Sequence, residues 1–114
     1  MSHTIAEHFV GRSPHVREIY NMIVATASEF GSVKEDPKKT SIHLNRRSAF
    51  AGIATRREFL ILTVKAKADI DDPRIAKSEQ ASAKRWYHYM KIKNTCEIDH
   101  GLIWLLRDSY EISG

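Results

Sequence analysis

The sequence predicts an α+β fold: two layers, with N-terminal helices and a C-terminal helix packed on one face of an antiparallel sheet of four to five strands. Near both ends of the chain, apolar residues recur every three or four positions, whereas between residues 40 and 93 they alternate with polar ones. The alternating segments are joined by short polar connections. Such connections favour antiparallel neighbours, because a parallel pair needs a crossover of about a dozen residues.

Helical spacing begins at the N-terminus. Thr4 and Glu7 have the spacing of a capping box, which predicts a short helix that ends before Gly11. Ser13 and Pro14 then begin a second helix that continues to Gly31. Its apolar face contains Val16, Ile19, Ile23, Ala27 and Phe30. A last helix is expected to begin near Asp99, and its apolar face contains Leu102, Ile103, Leu105, Leu106 and Tyr110.

The strands follow from alternation with a period of two. Strands are predicted at residues 40–45, 48–54, 58–68 and 84–93, and the Asp-, Ser- and Ala-rich segment 69–82 between the last two is expected to be a surface connection. In the last strand, Trp86, His88, Met90 and Ile92 share one side, which we expect to face the core. The other side would remain open, because antiparallel sheets commonly cover only one face.

Length and composition limit the class of protein. The 114 residues are the length of one domain, so we expect a single domain over residues 1–114. The longest apolar runs, residues 59–64 and 101–106, are far shorter than the roughly 20 residues that span a bilayer. The single cysteine, Cys96, excludes an internal disulfide, and no secretory signal pattern is present. A cytoplasmic protein is therefore predicted.

Positive charge is concentrated in the middle of the chain. Residues 31–93 contain fifteen Lys or Arg and seven Asp or Glu, a net charge of +8, whereas the chain as a whole carries +4. Basic side chains that meet phosphates, together with aromatic rings that stack on bases, are what sequence-tolerant nucleic-acid binding needs. The predicted open face and the adjacent strand ends contain Lys39, His43, Arg46, Arg47, Arg56, Arg57, Lys65, Lys67, Arg85, Tyr87, Tyr89, Lys91 and Lys93. These residues predict contact with a polyanion.

Three other interpretations remain open for the same region. In the first, the basic residues form only a solvated face, because lysines and arginines are ordinary on the exposed side of a sheet. Alternatively, an anionic-ligand or enzymatic pocket at the sheet edge, with an apolar floor and cationic groups, could be lined by Lys39, His43, Phe50, Arg57, Trp86 and His88. An uncovered face with Phe59, Ile61, Tyr87 and Tyr89 could also form a homodimer or partner interface.

Signatures of catalysis and of metal binding are absent from the sequence. It has no nucleophile elbow, phosphate-binding loop or dinucleotide fingerprint. The six histidines are scattered and none is paired with Cys96, so neither a metal nor another cofactor is expected. A binding or accessory module is predicted rather than an enzyme.

Several residue strings resemble a bacterial family. They are the segments 7–12, 31–33, 39–44 and 48–52, the strand from Arg85 to His88, and the closing residues Ile98, Asp99, Leu102, Trp104 and Leu105. The family is a domain of unknown function, and its members also form the C-terminal part of proteins labelled predicted transport proteins. The resemblance spans nearly the whole chain and implies the α+β fold.

Overall fold

The computed structural model describes residues 2–114. Its helices are α1 (Pro14–Ser28) and α2 (His100–Ile112), with short 3-10 helices at Ala6–Phe9 and Thr95–Glu97. Its strands are β1 (Lys34–Pro37), β2 (Ile42–Asn45), β3 (Ala49–Thr55), β4 (Leu60–Ala66), β5 (Ile75–Ser82) and β6 (Arg85–Ile92). The strands form one sheet in the order β1-β2-β3-β4-β6-β5, in which all neighbours are antiparallel. The α+β class with an antiparallel sheet is confirmed.

The predicted number of strands is wrong: this sheet has six strands rather than four or five. The two unpredicted strands, β1 and β5, lie at the two edges. Every position of β5 after Ile75 is exposed, so the alternation that identifies a half-buried strand is missing. The segment 69–82, predicted as a connection, therefore contains an edge strand. In β1, three charged residues precede Pro37, a composition that edge strands tolerate.

Alternate strand residues form the core. Side chains on one face of the sheet are almost fully buried and belong to one apolar cluster, together with residues from both helices. The strands contribute Ile42, Leu44, Ile53, Leu60, Leu62, Val64, Met90 and Ile92, and the helices contribute Val16, Ile19, Ile23, Leu102 and Leu106, among others. His88 is buried as well, so the core-facing set predicted for the last strand is confirmed for His88, Met90 and Ile92.

The opposite face of the sheet is half-buried, and we call it the open face. It consists of the intervening residues His43, Gly52, Ala54, Ile61, Thr63, Lys65, Arg85, Tyr87, Tyr89 and Lys91. The strand register places these residues in rows. The longest row crosses the whole sheet, through Asp36, His43, Gly52, Thr63, Tyr89 and Lys77.

A β-bulge sets the direction of Phe50. Leu44 is opposite Ala51 and Asn45 is opposite Ala49, which leaves Phe50 as an extra residue in β3. Phe50 is buried, and its ring lies 5.0 Å from that of Tyr110 in α2, nearly perpendicular to it. The bulge therefore turns Phe50 toward the helix without changing the face of Gly52.

The predicted starts of the helices are largely confirmed. The amide of Thr4 donates to the Glu7 carboxylate, and the amide of Glu7 donates to the Thr4 hydroxyl at 3.3 Å, which is the capping-box arrangement. It leads into a single 3-10 turn rather than an α-helix, since Val10 is already extended. Asp99 caps α2 by accepting from the amide of Leu102 at 3.0 Å. Within residues 2–114, no helix is long and apolar enough to cross a bilayer.

Arg74 links the segment before β5 to the beginning of α2 through hydrogen bonds. Its Nε and Nη2 donate to the Asp72 carboxylate at 3.0 and 2.8 Å, and its Nη1 donates to Asp99 at 3.0 Å and to the carbonyl of Glu97. The side chains of Arg74 and Asp72 are only 14% and 15% exposed. The Arg74 guanidinium lowers the pKa of Asp72 below 3.8. The pKa of Asp99 is lowered too, first by the amide of Leu102 and then by Arg74.

We expect Arg74→Met to lower the free energy of unfolding at neutral pH by about 1–3 kcal/mol, because it leaves a largely buried carboxylate without its partner. Both carboxyls have a lower pKa in the folded state than when unfolded. Their stabilisation is therefore present above pH 3.8 and is lost as the pH falls through the folded pKa values. Urea unfolding across this range should show a shallower acid dependence for Arg74→Met than for the wild type. The exposed control Arg47→Met should leave it unchanged, and equal acid dependence in all three proteins would contradict this role for Arg74.

Candidate functional site

A groove of about 710 Å³ lies on the open face. Its floor is formed by small side chains in the two central strands, namely Gly52 and Ala54 in β3 and Thr63 in β4. Larger side chains stand on either side, His43 on β2 and the tyrosines Tyr87 and Tyr89 on β6. The volume is within the range of about 300–1,000 Å³ that is typical of small-molecule sites.

Strand register explains why the groove lies there. Gly52 is paired with His43 on one side and with Thr63 on the other, and Thr63 is paired with Tyr89. The row therefore has two small residues between two large ones. Glycine in a strand interior often marks a place where a ligand or another backbone approaches closely. The centre of this row, where Gly52 lies beside Thr63, is such a place.

Two cations lie at one end of the groove. Lys65 lines it opposite Tyr87, and Arg85 precedes Tyr87 by two residues on the same face of β6. The Lys65 ammonium donates to the hydroxyl of Ser48 at 3.2 Å. Within residues 2–114, neither Lys65 nor Arg85 forms an ion pair with a carboxylate. Both side chains therefore lack a carboxylate partner in the described part of the chain.

The environment of these cations is unfavourable for positive charge. Partial burial, followed by the charge of Arg85, lowers the pKa of Lys65 below 10.5. The Arg85 Nε is buried and has no hydrogen-bond partner among the described residues. A buried donor without a partner costs free energy, and two neighbouring like charges repel each other. An anion at this end would reduce the repulsion between the two positive charges.

Residues of β5 contact Tyr89, which with Tyr87 forms one side of the groove. Lys77 and Glu79 form an ion pair at 3.1 Å, and the Lys77 ammonium lies 5.5 Å from the centre of the Tyr89 ring. Burial and a hydrogen bond to Glu79 raise the pKa of Tyr89 above 10.0. Lys77 is therefore paired with Glu79, whereas Lys65 and Arg85, like Arg56 and Lys91 elsewhere on this face, have no ion-pair partner among the described residues.

The opposite wall contains both charge signs. His43 is paired in register with Asp36, whose carboxylate lies 2.9 Å from the Lys38 ammonium. The hydrogen bond from Lys38 lowers the pKa of Asp36 below 3.8. Thr40 and Ser41 also line this side, so the wall offers polar groups with little net charge.

The model of the family described as Domain of unknown function (DUF5655) matches residues 5–113. The chain belongs to this family. Comparison with curated proteins and with solved structures gives no significant match. Membership therefore assigns this DUF5655 domain to a family without assigning it an activity.

The structure of the DUF5655 domain brings together part of the residue set predicted to bind a polyanion. His43, Arg56, Lys65, Tyr87 and Tyr89 line the groove, with Arg85 and Lys91 on the same face. The other predicted residues lie at strand ends and turns and are exposed, namely Lys39, Arg46, Arg47, Arg57, Lys67 and Lys93. Arg46 has a structural role: its guanidinium lies 4.5 Å from the Tyr110 ring centre and donates to the Tyr110 carbonyl at 3.1 Å.

The residues predicted for a sheet-edge pocket do not share one cavity in the DUF5655 domain. Phe50 lies at the groove, whereas Trp86 and His88 do not line it. The rings of Trp86 and His88 are stacked, with centres 6.1 Å apart. His88 has partners for both nitrogens: Nδ1 lies 2.8 Å from the Ser78 hydroxyl and Nε2 lies 3.2 Å from the Ala68 carbonyl. Both ring nitrogens of His88 are therefore used in contacts within the fold.

Sequence reasoning missed the floor of the groove. Gly52, Ala54 and Thr63 have no charge or ring to attract notice, although a glycine within a central strand is a recognisable signal. Ser48, the hydroxyl partner of Lys65, was also missed. In the part of the chain that the structure describes, no three His, Cys, Asp or Glu side chains group as metal ligands would.

Proposed function

We propose that this DUF5655 domain is a binding module whose open-face groove takes a segment of single-stranded nucleic acid. The observation that carries the proposal is the combination of Tyr87, Tyr89 and Lys65 in one groove with Arg85 on the same face of β6, both cations lacking an ion pair among the described residues. Tyrosine rings offer stacking surfaces that accept any base, and the cations meet phosphates. The small side chains on its floor, Gly52, Ala54 and Thr63, leave space for a flat ring.

The proposal depends on the arrangement of the whole domain. We infer that residues 1–114 fold as a single two-layer domain with both helices on the core face, which leaves the open face accessible. The contacts of α2 with β3 and β4, and of α1 with β4, support this arrangement. A cytoplasmic location fits the single exposed Cys96 and is part of the same proposal.

The test is fluorescence anisotropy of labelled single- and double-stranded DNA and RNA at about 50 and 200 mM salt, the range in which phosphate contacts lose orders of magnitude in affinity. We expect single strands to bind in preference to duplexes. Lys65→Glu should weaken binding by at least about tenfold, because it places a negative charge at the phosphate end of the groove. The matched control is Arg107→Glu, which changes the net charge equally at an exposed position of α2 outside the groove.

Each outcome has a defined meaning. An equal loss of affinity in Lys65→Glu and Arg107→Glu would show diffuse electrostatic attraction, and the groove would not be the binding site. Absence of binding at the lower salt concentration would overturn the proposal. If light scattering showed a concentration-dependent dimer that Tyr89→Lys dissociates, the open face would be a homodimer interface instead.

A further inference from the structure

We propose that Lys65, Arg85 and Ser48 form a subsite for one dianionic group, the terminal phosphate of a strand end or of a free nucleotide. This inference deepens the proposed function, because it names the chemical group bound at one end of the same groove. It also separates a strand end from the interior of a strand, where every phosphate is a diester.

Charge matching supports a dianion. The two cations bring two positive charges to one end of the groove, with no carboxylate in an ion pair with either of them within residues 2–114. An internal phosphodiester carries one negative charge, whereas a terminal phosphate carries about −1.5 to −2 at neutral pH. Only the terminal group comes close to neutralising both Lys65 and Arg85.

Donor geometry supports a phosphate in particular. The Arg85 guanidinium is a planar fork of donors that suits phosphate oxygens, and it has no carboxylate partner among the described residues. The Lys65 ammonium is held by the Ser48 hydroxyl at 3.2 Å, which leaves its remaining hydrogens for a ligand. Phosphate has enough acceptor oxygens to receive hydrogen bonds from both side chains.

The neighbouring rings define what the phosphate is attached to. Lys65 is directly opposite Tyr87, and Thr63, on the groove floor, is directly opposite Tyr89. A group bound at Lys65 would therefore continue over the floor and alongside both tyrosines. A sugar and a base are of the size and shape that this path admits, given the groove volume of about 710 Å³.

The experiment compares three single-stranded oligonucleotides of about ten nucleotides with one sequence and a 3′ label. They carry a 5′-hydroxyl, a 5′-phosphate or a 5′-methyl phosphate, the last having one negative charge at the end. We expect the 5′-phosphate to bind the wild type about tenfold or more tightly than the other two, since hydrogen bonds to charged groups are among the strongest. In Lys65→Met and Arg85→Gln, the three oligonucleotides should bind alike, whereas the control Arg107→Gln, at an exposed position of α2, should retain the difference.

The outcomes distinguish this subsite from the proposed function. Equal, salt-sensitive binding of all three oligonucleotides to the wild type would overturn the subsite and leave the proposed function intact. Equal gains from the phosphate and the methyl phosphate would overturn the assignment of a dianion. A thermal shift with thymidine monophosphate but not with thymidine, without any oligonucleotide binding, would support the subsite and overturn the single-strand proposal. Thermal unfolding of each variant confirms that it is folded.

Discussion

Replacing Tyr110 by alanine is expected to lower the free energy of unfolding by about 3–5 kcal/mol, the usual cost of truncating a buried aromatic side chain. Its ring lies 5.7 Å from that of Phe30 and 5.0 Å from that of Phe50. Its hydroxyl donates to the carbonyl of Ser32 at 2.9 Å. Tyr110 therefore joins α2 to the segment after α1 and to β3, and its truncation would leave a cavity where they meet.

Chemical denaturation of three variants measures this effect. Tyr110→Phe removes only the hydroxyl and should cost about 1 kcal/mol. Trp104→Ala truncates another aromatic side chain of α2, one that is 63% exposed, so its cost should be small. A cost for Tyr110→Ala no larger than that for Trp104→Ala would contradict the packing described for this residue.

Filling the groove with Gly52→Phe is expected to weaken nucleic-acid binding by about 10- to 100-fold, because loss of base stacking on an aromatic ring costs about 1–3 kcal/mol per base. A Cβ at residue 52 would lie 3.6 Å from the Cβ of Thr63, an ordinary contact, so the backbone can accept a side chain here. The added ring would occupy the space above the floor. Anisotropy titration measures the loss, and thermal unfolding should show that the fold is retained.

Gly52→Ala is the matched control for the groove. It adds one methyl group and leaves most of the groove volume open, so its affinity should remain close to that of the wild type. Undiminished binding by a folded Gly52→Phe protein would place the ligand elsewhere. An equal loss in both variants would show that the backbone at Gly52 matters rather than the space above it.

The parts of the fold that could be predicted from sequence are those whose pattern reflects burial on one side. α1, β4 and β6 each place apolar residues at a regular period, and Asp99 is a recognisable cap for α2. The edge strands lack that signal because neither side of β5 is covered by the core. Their pairing with β2 and β6 depends on backbone hydrogen bonds, which the side-chain pattern does not record.

The candidate site was predicted only in part for a related reason. Alternation alone places His43, Tyr87 and Tyr89 on the open face, because the period of a strand fixes which side chains share a side. The groove floor depends on which small residues are brought side by side in different strands, and that follows from register. Arg46 contacts Tyr110 at a separation of 64 residues along the chain, which no local pattern reveals.

The bulge at Phe50 makes β3 sensitive to its number of residues. Strand β3 contributes Phe50 to the core and Gly52 to the groove floor. Its one extra residue opposite β2 allows both side chains to take these directions. A one-residue deletion or insertion between Asn45 and Gly52 must either change the bulge or reverse the faces of the residues on one side of it. Substitutions in this segment that keep side-chain size preserve both roles, so its length is constrained more tightly than its composition.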